Sequence, residues 1–490
     1  MNINNGCRNG DLLREVCSSA MEATGYKVFN DSVHGHITLH PLLVRVVDTP
    51  QFQRLRNIKQ LGPANYVFPG ASNCRYEHSL GTCYLAGQMV EKLLEREHRS
   101  RTAEERQRLT LCVQLAALCH DLGHGPFSHT WEQVTQRWGD PWKHEEASIK
   151  MFDSLVESND LVGIFSDHGL KQLERRIIKE LIMGGPPDGN PPLLGPEDNF
   201  LYQIVSNRET GIDVDKWDYF LRDGLHLNLS ITFNYRRLLE FCTVVTLPSD
   251  GRTHIAFRDK EITNLYNMFR TRSALHHTAY KHRVVLNVEL MTVDGFVAAG
   301  EAGYKINNSE ILLKDAHKRP ESLCEMTDHL FFDILYTRDP KLSSAQTTFK
   351  RIFQRKLYKF VEKINIQIQG GTVKERQSCV KEKKAELIKK LADSCPNYEF
   401  GIGEFYLDLD CHNDPVSKVH FYTKLRDSNA IKIEAYQKIR DLLDPFPFQL
   451  TREPTAVLSV FCKTENVTDE DLADAKTMIL SVGLSTNTQP

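Results

Sequence analysis

A chain of 490 residues with 41% hydrophobic content carries enough apolar material for roughly two or three packed domains. Charged residues make up 26% but the net charge is only −3, which excludes a bulk polyanion-binding surface and leaves phosphate binding to local Lys and Arg clusters. The 12 cysteines form no CxxC pair and no signal peptide precedes them, which reads as a reducing, intracellular compartment. The longest apolar stretches, such as Leu109–Cys119, are too short to span a bilayer.

In chain order, residues 1 to about 25 read as a flexible tail, with a short helix around Leu12–Met21. Residues 26–332 are mainly helical in pattern and are taken as one domain. Within it, Leu109–Leu122 is apolar all round, the mark of a buried helix. Leu173–Met183 and Asp259–His276 are amphipathic at helical spacing. The run Met183-Gly-Gly-Pro-Pro-Asp-Gly-Asn-Pro-Pro cannot continue a helix and is placed as a surface loop inside the domain. Residues 333–482 change texture and form a smaller α+β lobe. Thr347–Val361 is expected as a basic helix and Lys374–Leu391 as a charged one. Strand-like runs follow at Glu399–Leu409, Val419–Thr423, Ala430–Glu434 and Ala456–Cys462, then a helix near Asp469–Leu480 and a tail at 483–490. The expected fold is mainly α, with no repeats and no low-complexity tract.

The sharpest local signal is Leu118-Cys-His-Asp-Leu-Gly-His-Gly-Pro-Phe-Ser-His129, where His120 and Asp121 close a buried helix that Gly123, Gly125 and Pro126 then end. Such a pair is costly to bury without a partner, and imidazole beside carboxylate suits iron, zinc or manganese. A lone His-Asp dipeptide is often an ordinary hydrogen-bonded core pair. Here His78 and Asp215 supply the further ligand types in order, and His124, His129 and His144 lie close by. Structural zinc sites usually use cysteine, and none of these ligands is one, so the set favours a centre that leaves room for water. The order His…His-Asp…Asp resembles the HD superfamily, which implies a helical bundle with ligands projecting from separate helices.

Phosphoryl chemistry needs cations on the phosphates and an acid for the leaving oxygen. Arg75 stands three residues before His78 and shares its helical face. Lys216 follows Asp215. Arg272 and His276 are four apart on one face. His129 and His144 are the candidate proton donors, with Glu132 placed to orient His129. Each cation alone is more often a solvated surface charge; their clustering beside the ligands is what gives them weight.

Longer stretches narrow the resemblance. Lys27-Val-Phe-Asn-Asp, Thr49-Pro-Gln-Phe-Gln-Arg-Leu-Arg56, Tyr66-Val-Phe-Pro-Gly-Ala-Ser72, His120–His129 and Gly211–Phe220 resemble the SAM- and HD-domain-containing deoxynucleoside triphosphate (dNTP) triphosphohydrolases over roughly nine-tenths of the chain. The resemblance implies hydrolysis of dNTPs to deoxynucleoside and triphosphate by attack at the α-phosphorus. It implies protonation of the 5′-oxygen by His129, with His124 and His144 on the phosphates or relaying protons. Arg75, Lys216, Tyr219 and Arg272 would bind the triphosphate, Gln60 and Asp223 the 3′-hydroxyl, and Leu61 with Tyr280 would crowd the 2′ position.

The same resemblance implies activation by GTP or dGTP and by dNTPs bound between subunits of a homotetramer. Lys27, Val28, Asp48, Gln53, Arg56, Arg355 and Lys359 match the guanine-specific site, with Arg355 and Lys359 four apart on the basic helix. Val67, Phe68, Arg237, Arg258, Lys260, Asn264, His282, Arg283, Val284 and Lys424 match the deoxynucleotide site. Departures from the family pattern are Glu132 where Asp is expected, Arg283 for Lys and Leu286 for Asn. The sterile alpha motif domain and the basic nuclear address are not seen before Lys27, so the nuclear location implied by the family stands against a cytoplasmic one. The expected cofactors are one transition metal (iron, zinc or manganese) at the HD site and magnesium on the nucleotide phosphates. Antiviral defence is implied by family analogy alone. Two other functions fit less of the sequence: an HD nucleotidase or phosphodiesterase on other nucleotides, and an idle nucleotide or weak single-stranded nucleic-acid binder. No membrane partner is expected.

Overall fold

The computed structural model describes residues 25–97, 99–366, 368, 373–406, 414–424, 431–434 and 456–484. The expected tail, the helix around Leu12–Met21 and residues 485–490 lie outside them. The helices of nine residues or more are α1 (Arg75–Arg96), α2 (Ala103–Cys119), α3 (His129–Arg137), α4 (His144–Ser158), α5 (Gln172–Met183), α6 (Val214–Leu227), α7 (Ile262–Leu275), α8 (Arg283–Glu301), α9 (Ser343–Phe353), α10 (Val373–Ser394) and α11 (Ala473–Leu484). The fold is mainly α with a smaller α+β region, as the periodicity predicts.

Helix α2 starts where its sequence says it should. Thr102 and Glu105 form a reciprocal capping box, with bonds of 3.2 and 3.1 Å. Beyond that first turn α2 is buried almost all round and packs lengthwise on α1. Leu85 and Met89 of α1, Val113 and Leu115 of α2, Phe152 of α4, Trp217 and Phe220 of α6 and Phe296 of α8 are sealed in one core. Each such side chain contributes roughly 1.5–3 kcal/mol on burial, and together they fix the relative positions of the helices that carry the site. Helix α5 stops at Gly184, whose φ of +72° continues into the predicted loop.

The mainly helical region also holds two antiparallel hairpins that helical periodicity overlooked: β1 (Lys27–Asp31) with β2 (Gly35–Leu39), and β3 (Cys242–Thr246) with β4 (Thr253–Arg258). Both are short, and β3 and β4 are buried along almost their whole length rather than alternating, so neither hairpin offers enough period-two signal to stand out against helical neighbours. Strands β5 (Lys359–Ile366), β9 (Ala456–Cys462) and β6 (Phe400–Tyr406) form a sheet covered by α10 and α11, with Ile364, Leu387, Leu391, Leu458 and Ile479 in its own core. Strands β7 (His420–Lys424) and β8 (Ile431–Glu434) instead extend the β3–β4 sheet, β7 lying parallel to β4.

One expected element is corrected. Thr347–Val361 is not a helix throughout. Helix α9 ends at Phe353, Arg355 turns the chain at φ +60°, and Lys359 opens β5. Arg355 and Lys359 therefore do not share a helical face. The alternation of Phe360-Val-Glu-Lys-Ile-Asn-Ile366 pairs with β9, and that pairing outweighs the helical propensity of the basic run.

Candidate active site

The first turn of α1, the end of α2 and the first turn of α6 converge on one point. His78 Nδ1 donates to Asp218 Oδ2 at 2.8 Å, and His120 Nδ1 donates to the Ala117 carbonyl at 2.7 Å. Each imidazole is thereby fixed in the tautomer that turns a bare Nε2 inward. His78 Nε2 lies 3.0 Å from Asp215 Oδ1 and 3.5 Å from Asp121 Oδ2; His120 Nε2 lies 3.4 Å from Asp215 Oδ1 and 3.4 Å from Asp121 Oδ1. Both Nε2 atoms are sealed from solvent and make no aligned hydrogen bond. Two nitrogen lone pairs and two carboxylates facing one point form a donor set that fits a divalent cation.

The shell behind these groups is charged and buried. Asp218 accepts from His34 Nε2 at 2.7 Å and from Arg222 Nε and Nη2 at 2.9 Å each, and Arg222 reaches Asp31 at 2.9 Å. Burial alone would push the Asp218 carboxyl up; Arg222 and the two imidazoles outweigh it and hold the group well below the usual carboxylate range. The approach depends on Gly81 of α1, where an added Cβ would sit 1.9 Å from Asp218 Oδ1. Gly123 serves the other side: a Cβ there would lie 2.2 Å from the His144 carbonyl, so the loop after Asp121 could not close on α4. Arg54 holds the same loop from below, donating to the carbonyls of Met326 (3.0 Å), Leu122 (3.1 Å) and His124. The sequence reading missed Asp218, Arg54 and His34. Asp218 carried a signal, since it follows Asp215 by three residues on one helix; the other two had none.

The second histidine group stands beside this centre. His124 stacks on His144 at 3.9 Å between ring centroids, and its Nε2 is 3.3 Å from Asp121 Oδ1. Glu132 Oε1 accepts from His144 Nδ1 at 2.6 Å and from His129 Nδ1 at 3.2 Å. The expected His129–Glu132 pair is present, and the shorter bond goes to His144. Burial would raise the Glu132 carboxyl, but the bonds from His129 and His144 outweigh it and keep it ionised. For His124, burial first and then Arg75 and His144 lower the pKa well below its ordinary value, so this ring stays neutral. Arg75 bridges the two groups, bonding Asp121 at 2.6 Å and Ser128 Oγ at 2.9 Å. Phe127 and Ser128 hold φ values of 57° and 59°, strained for residues with side chains. Asp328 pins this turn, accepting from Phe127 N at 2.6 Å and from Lys59 N at 2.9 Å, and burial pushes its carboxyl up to about 6.

A cavity of about 360 Å³ opens over both groups. Gln60, Leu61, Arg75, Tyr219, Asp223, His276 and Tyr280 line it, along with His120, Asp121, His124, His129, His144 and Asp215. Tyr280 donates to Asp223 at 2.6 Å and Asn73 does so at 2.9 Å. Lys216 and Arg272 do not line it. Lys216 instead bonds Asp213, the N-cap of α6, at 2.8 Å; Arg272 is near enough to lower the pKa of His276 after burial has done most of that.

The residues singled out for activators lie elsewhere. Lys27 and Asp48 pair at 3.1 Å with both side chains about half exposed, and Arg56 bonds Gln53 at 2.7 Å while covering the Tyr76 ring. Val28 is exposed on β1. Arg355 donates to the Tyr66 carbonyl at 2.5 Å, and Lys359 to that of Val467 at 3.0 Å. Arg237 pairs with Glu261 at 2.7 Å, where Asn264 also bonds at 3.1 Å. Arg258 and Lys260 flank Asp259, with Arg258 3.6 Å from its carboxylate. Val67 and Phe68 share a small apolar cluster with Val285, and Phe68 stands edge-on to His282, which caps α8 through Val284 N. Arg283 covers the Phe360 ring, Leu286 is buried, and Lys424 ends β7.

Comparison with known proteins fits this geometry. The HD domain family model matches residues 75–188, a span that holds every residue of the centre except Asp215. The chain is 40% identical to mouse deoxynucleoside triphosphate triphosphohydrolase SAMHD1 over 91% of its own length and 70% of that protein. It is 42% identical to the zebrafish (Danio rerio) protein of that name, covering 92% and 72% of the two chains, and 41% identical to the human one, covering 89% and 70%. The chain belongs to this family. Its HD domain implies a divalent metal, and the clustered His78, His120 and Asp121 are a group able to hold one. Among the described residues no helix is long and apolar enough to cross a membrane.

Proposed function

We propose that the protein hydrolyses dNTPs to deoxynucleoside and inorganic triphosphate in this cavity. The observation that carries the reading is the juxtaposition of a two-imidazole, two-carboxylate centre with Arg75 on one side and the Glu132-oriented histidines on the other. It gains support from relatives whose names state that activity.

His78, His120, Asp121 and Asp215 would hold the metal, which supplies polarisation of water and of a phosphate oxygen. Arg75, fixed by Asp121 and Ser128, meets negative charge that builds on the α-phosphate. Glu132 accepts hydrogen bonds from Nδ1 of His129 and His144, so each ring offers Nε2 to the cavity. His129, whose side chain is 63% exposed, is the group positioned to protonate a leaving 5′-oxygen. Gln60 has a buried, unpartnered Oε1 that suits a sugar hydroxyl donor, and Asp223 accepts beside it. Leu61 and the locked Tyr280 leave deoxyribose room and crowd a 2′-hydroxyl.

Activation by GTP or dGTP and by dNTPs, with assembly into a homotetramer, belongs to the same reading. Lys27, Asp48, Gln53 and Arg56 form a polar patch that a guanine edge could enter, and Arg237, Arg258, Lys260 and Asn264 form a second one. Repulsion among such cations opposes assembly until a triphosphate neutralises them. Incubation with dATP, with and without GTP plus dGTP, tests the proposal: inorganic triphosphate with deoxyadenosine supports it, and dAMP with pyrophosphate contradicts it.

A further inference from the structure

Outside the cavity, one more group of ligand-type side chains meets. His254 lies on β4, His420 opens β7, and Glu209 lies in the turn between Asn207 and Asp213 that leads into α6. Because β4 and β7 run parallel with Ala256 opposite His420, His254 falls two residues back on the same face. The two rings stand 5.0 Å apart at 70°. One ligand atom from each of the three residues lies within 4.8 Å of the other two.

The protonation of the group is set from outside. Asp250 Oδ2 accepts from His254 Nε2 at 2.9 Å, which leaves Nδ1 as the accepting nitrogen of that ring. Nδ1 faces Glu209 Oε2 at 3.5 Å. Gln203 is held through its carbonyl oxygen by Ile255 N at 2.9 Å, so its amide nitrogen is the donor shared between His254 Nδ1 (2.9 Å) and Glu209 Oε2 (3.2 Å). His420 Nε2 is sealed from solvent and has no hydrogen-bond partner. Three ligand-type side chains thus meet beside a single amide, and one ring nitrogen of His420 is buried without a hydrogen-bond partner. A carboxylate behind a histidine is the arrangement that orients imidazole toward a metal.

We propose that Glu209, His254 and His420 form a second metal site, of the kind that takes zinc, on the seam where β7 joins β4. Two imidazoles and a carboxylate suit zinc, with water as the fourth ligand. Tetrahedral zinc holds such ligands roughly 3.3 Å apart, so pairs of the group as far apart as 4.8 Å must close by up to about 1.5 Å. Glu209, with 45% of its side chain exposed, can swing inward and also marks the entry path. The bound ion would join a strand of the C-terminal region to β4 and to the turn that sets α6, six residues before Asp215.

The test uses the full chain, stripped with chelator, reloaded with zinc and desalted, with zinc per chain measured by elemental analysis. Wild type should hold one equivalent more than Glu209→Gln and one more than His420→Gln, while the far-UV circular dichroism of all three in chelator is the same. Glu209→Gln keeps size and sits half exposed, so it reports on binding even if His420→Gln misfolds. With cobalt in place of zinc, the wild-type minus Glu209→Gln difference spectrum should show tetrahedral d–d bands. Equal zinc in wild type and Glu209→Gln would overturn the site.

Discussion

The cavity and the activator patches hold charged residues in opposite ways. Around the cavity four key groups are locked from behind: His78 by Asp218, His120 by a carbonyl, His144 by Glu132, and Arg75 by Asp121 and Ser128. The cations of the patches stay half exposed, as Lys27 does while paired with the equally exposed Asp48 and Arg237 does while paired with the buried Glu261. The difference teaches where each half of the chemistry is completed. The cavity is pre-organised within one chain; the patches, in our reading, are surfaces whose charges await a ligand and a neighbouring copy.

If that contrast is right, substitutions in the two regions separate cleanly. The largest effect is expected at the centre, where Asp121→Ala or His120→Ala should bring turnover to background, checked by product release from dATP. Next comes the support behind it. Asp218→Asn, and Gly81→Ala through the clash with Asp218, should lower metal content and activity together by roughly 10–100-fold, the usual cost of losing a ligand's orienting partner. Unchanged metal content in both would detach Asp218 from the centre. Glu132→Gln should cut kcat by about 100-fold with metal retained, because it removes only the group that orients the proton-transferring histidines. Asp48→Ala should leave metal content and fold intact yet weaken GTP-dependent tetramer formation, read by sedimentation; an unchanged tetramer would remove the guanine patch from the account.

The smallest effect concerns pH. Burial raises the Asp328 carboxyl to about 6 in the folded chain, above its ordinary value. The folded state therefore holds this proton more tightly than the unfolded one, and stability from this group is present at low pH and lost as pH rises through about 6. Asp328→Asn should flatten that part of the melting-temperature profile between pH 4 and 7 relative to wild type. Parallel profiles would contradict it.

Much of this was legible in the sequence, and unevenly. His120 and Asp121 stand out as candidate ligands because they end an apolar helix, a place where polar pairs need a reason, and His78 and Asp215 were added only by the order of residue types. Helix α2 is legible in its all-round apolar run, α5 in its amphipathic spacing and α10 in its charged texture. What stayed hidden depends on partners distant in sequence. His34 gains meaning only when its ring meets Asp218 of α6, Arg54 only when its guanidinium meets carbonyls of 122, 124 and 326, and the seam of β4 with β7 only when a C-terminal strand crosses to another sheet. Arg355 and Lys359 show the reverse failure, where local composition favoured a helix that pairing with β9 overrode.

The most direct test of the central claim is hydrolysis of dATP in ¹⁸O-water, followed by mass analysis of both products. The account predicts one ¹⁸O atom in inorganic triphosphate and none in deoxyadenosine, since water is placed against the α-phosphorus and the nucleoside keeps its 5′-oxygen. Label in deoxyadenosine, or in released pyrophosphate or monophosphate, would contradict it.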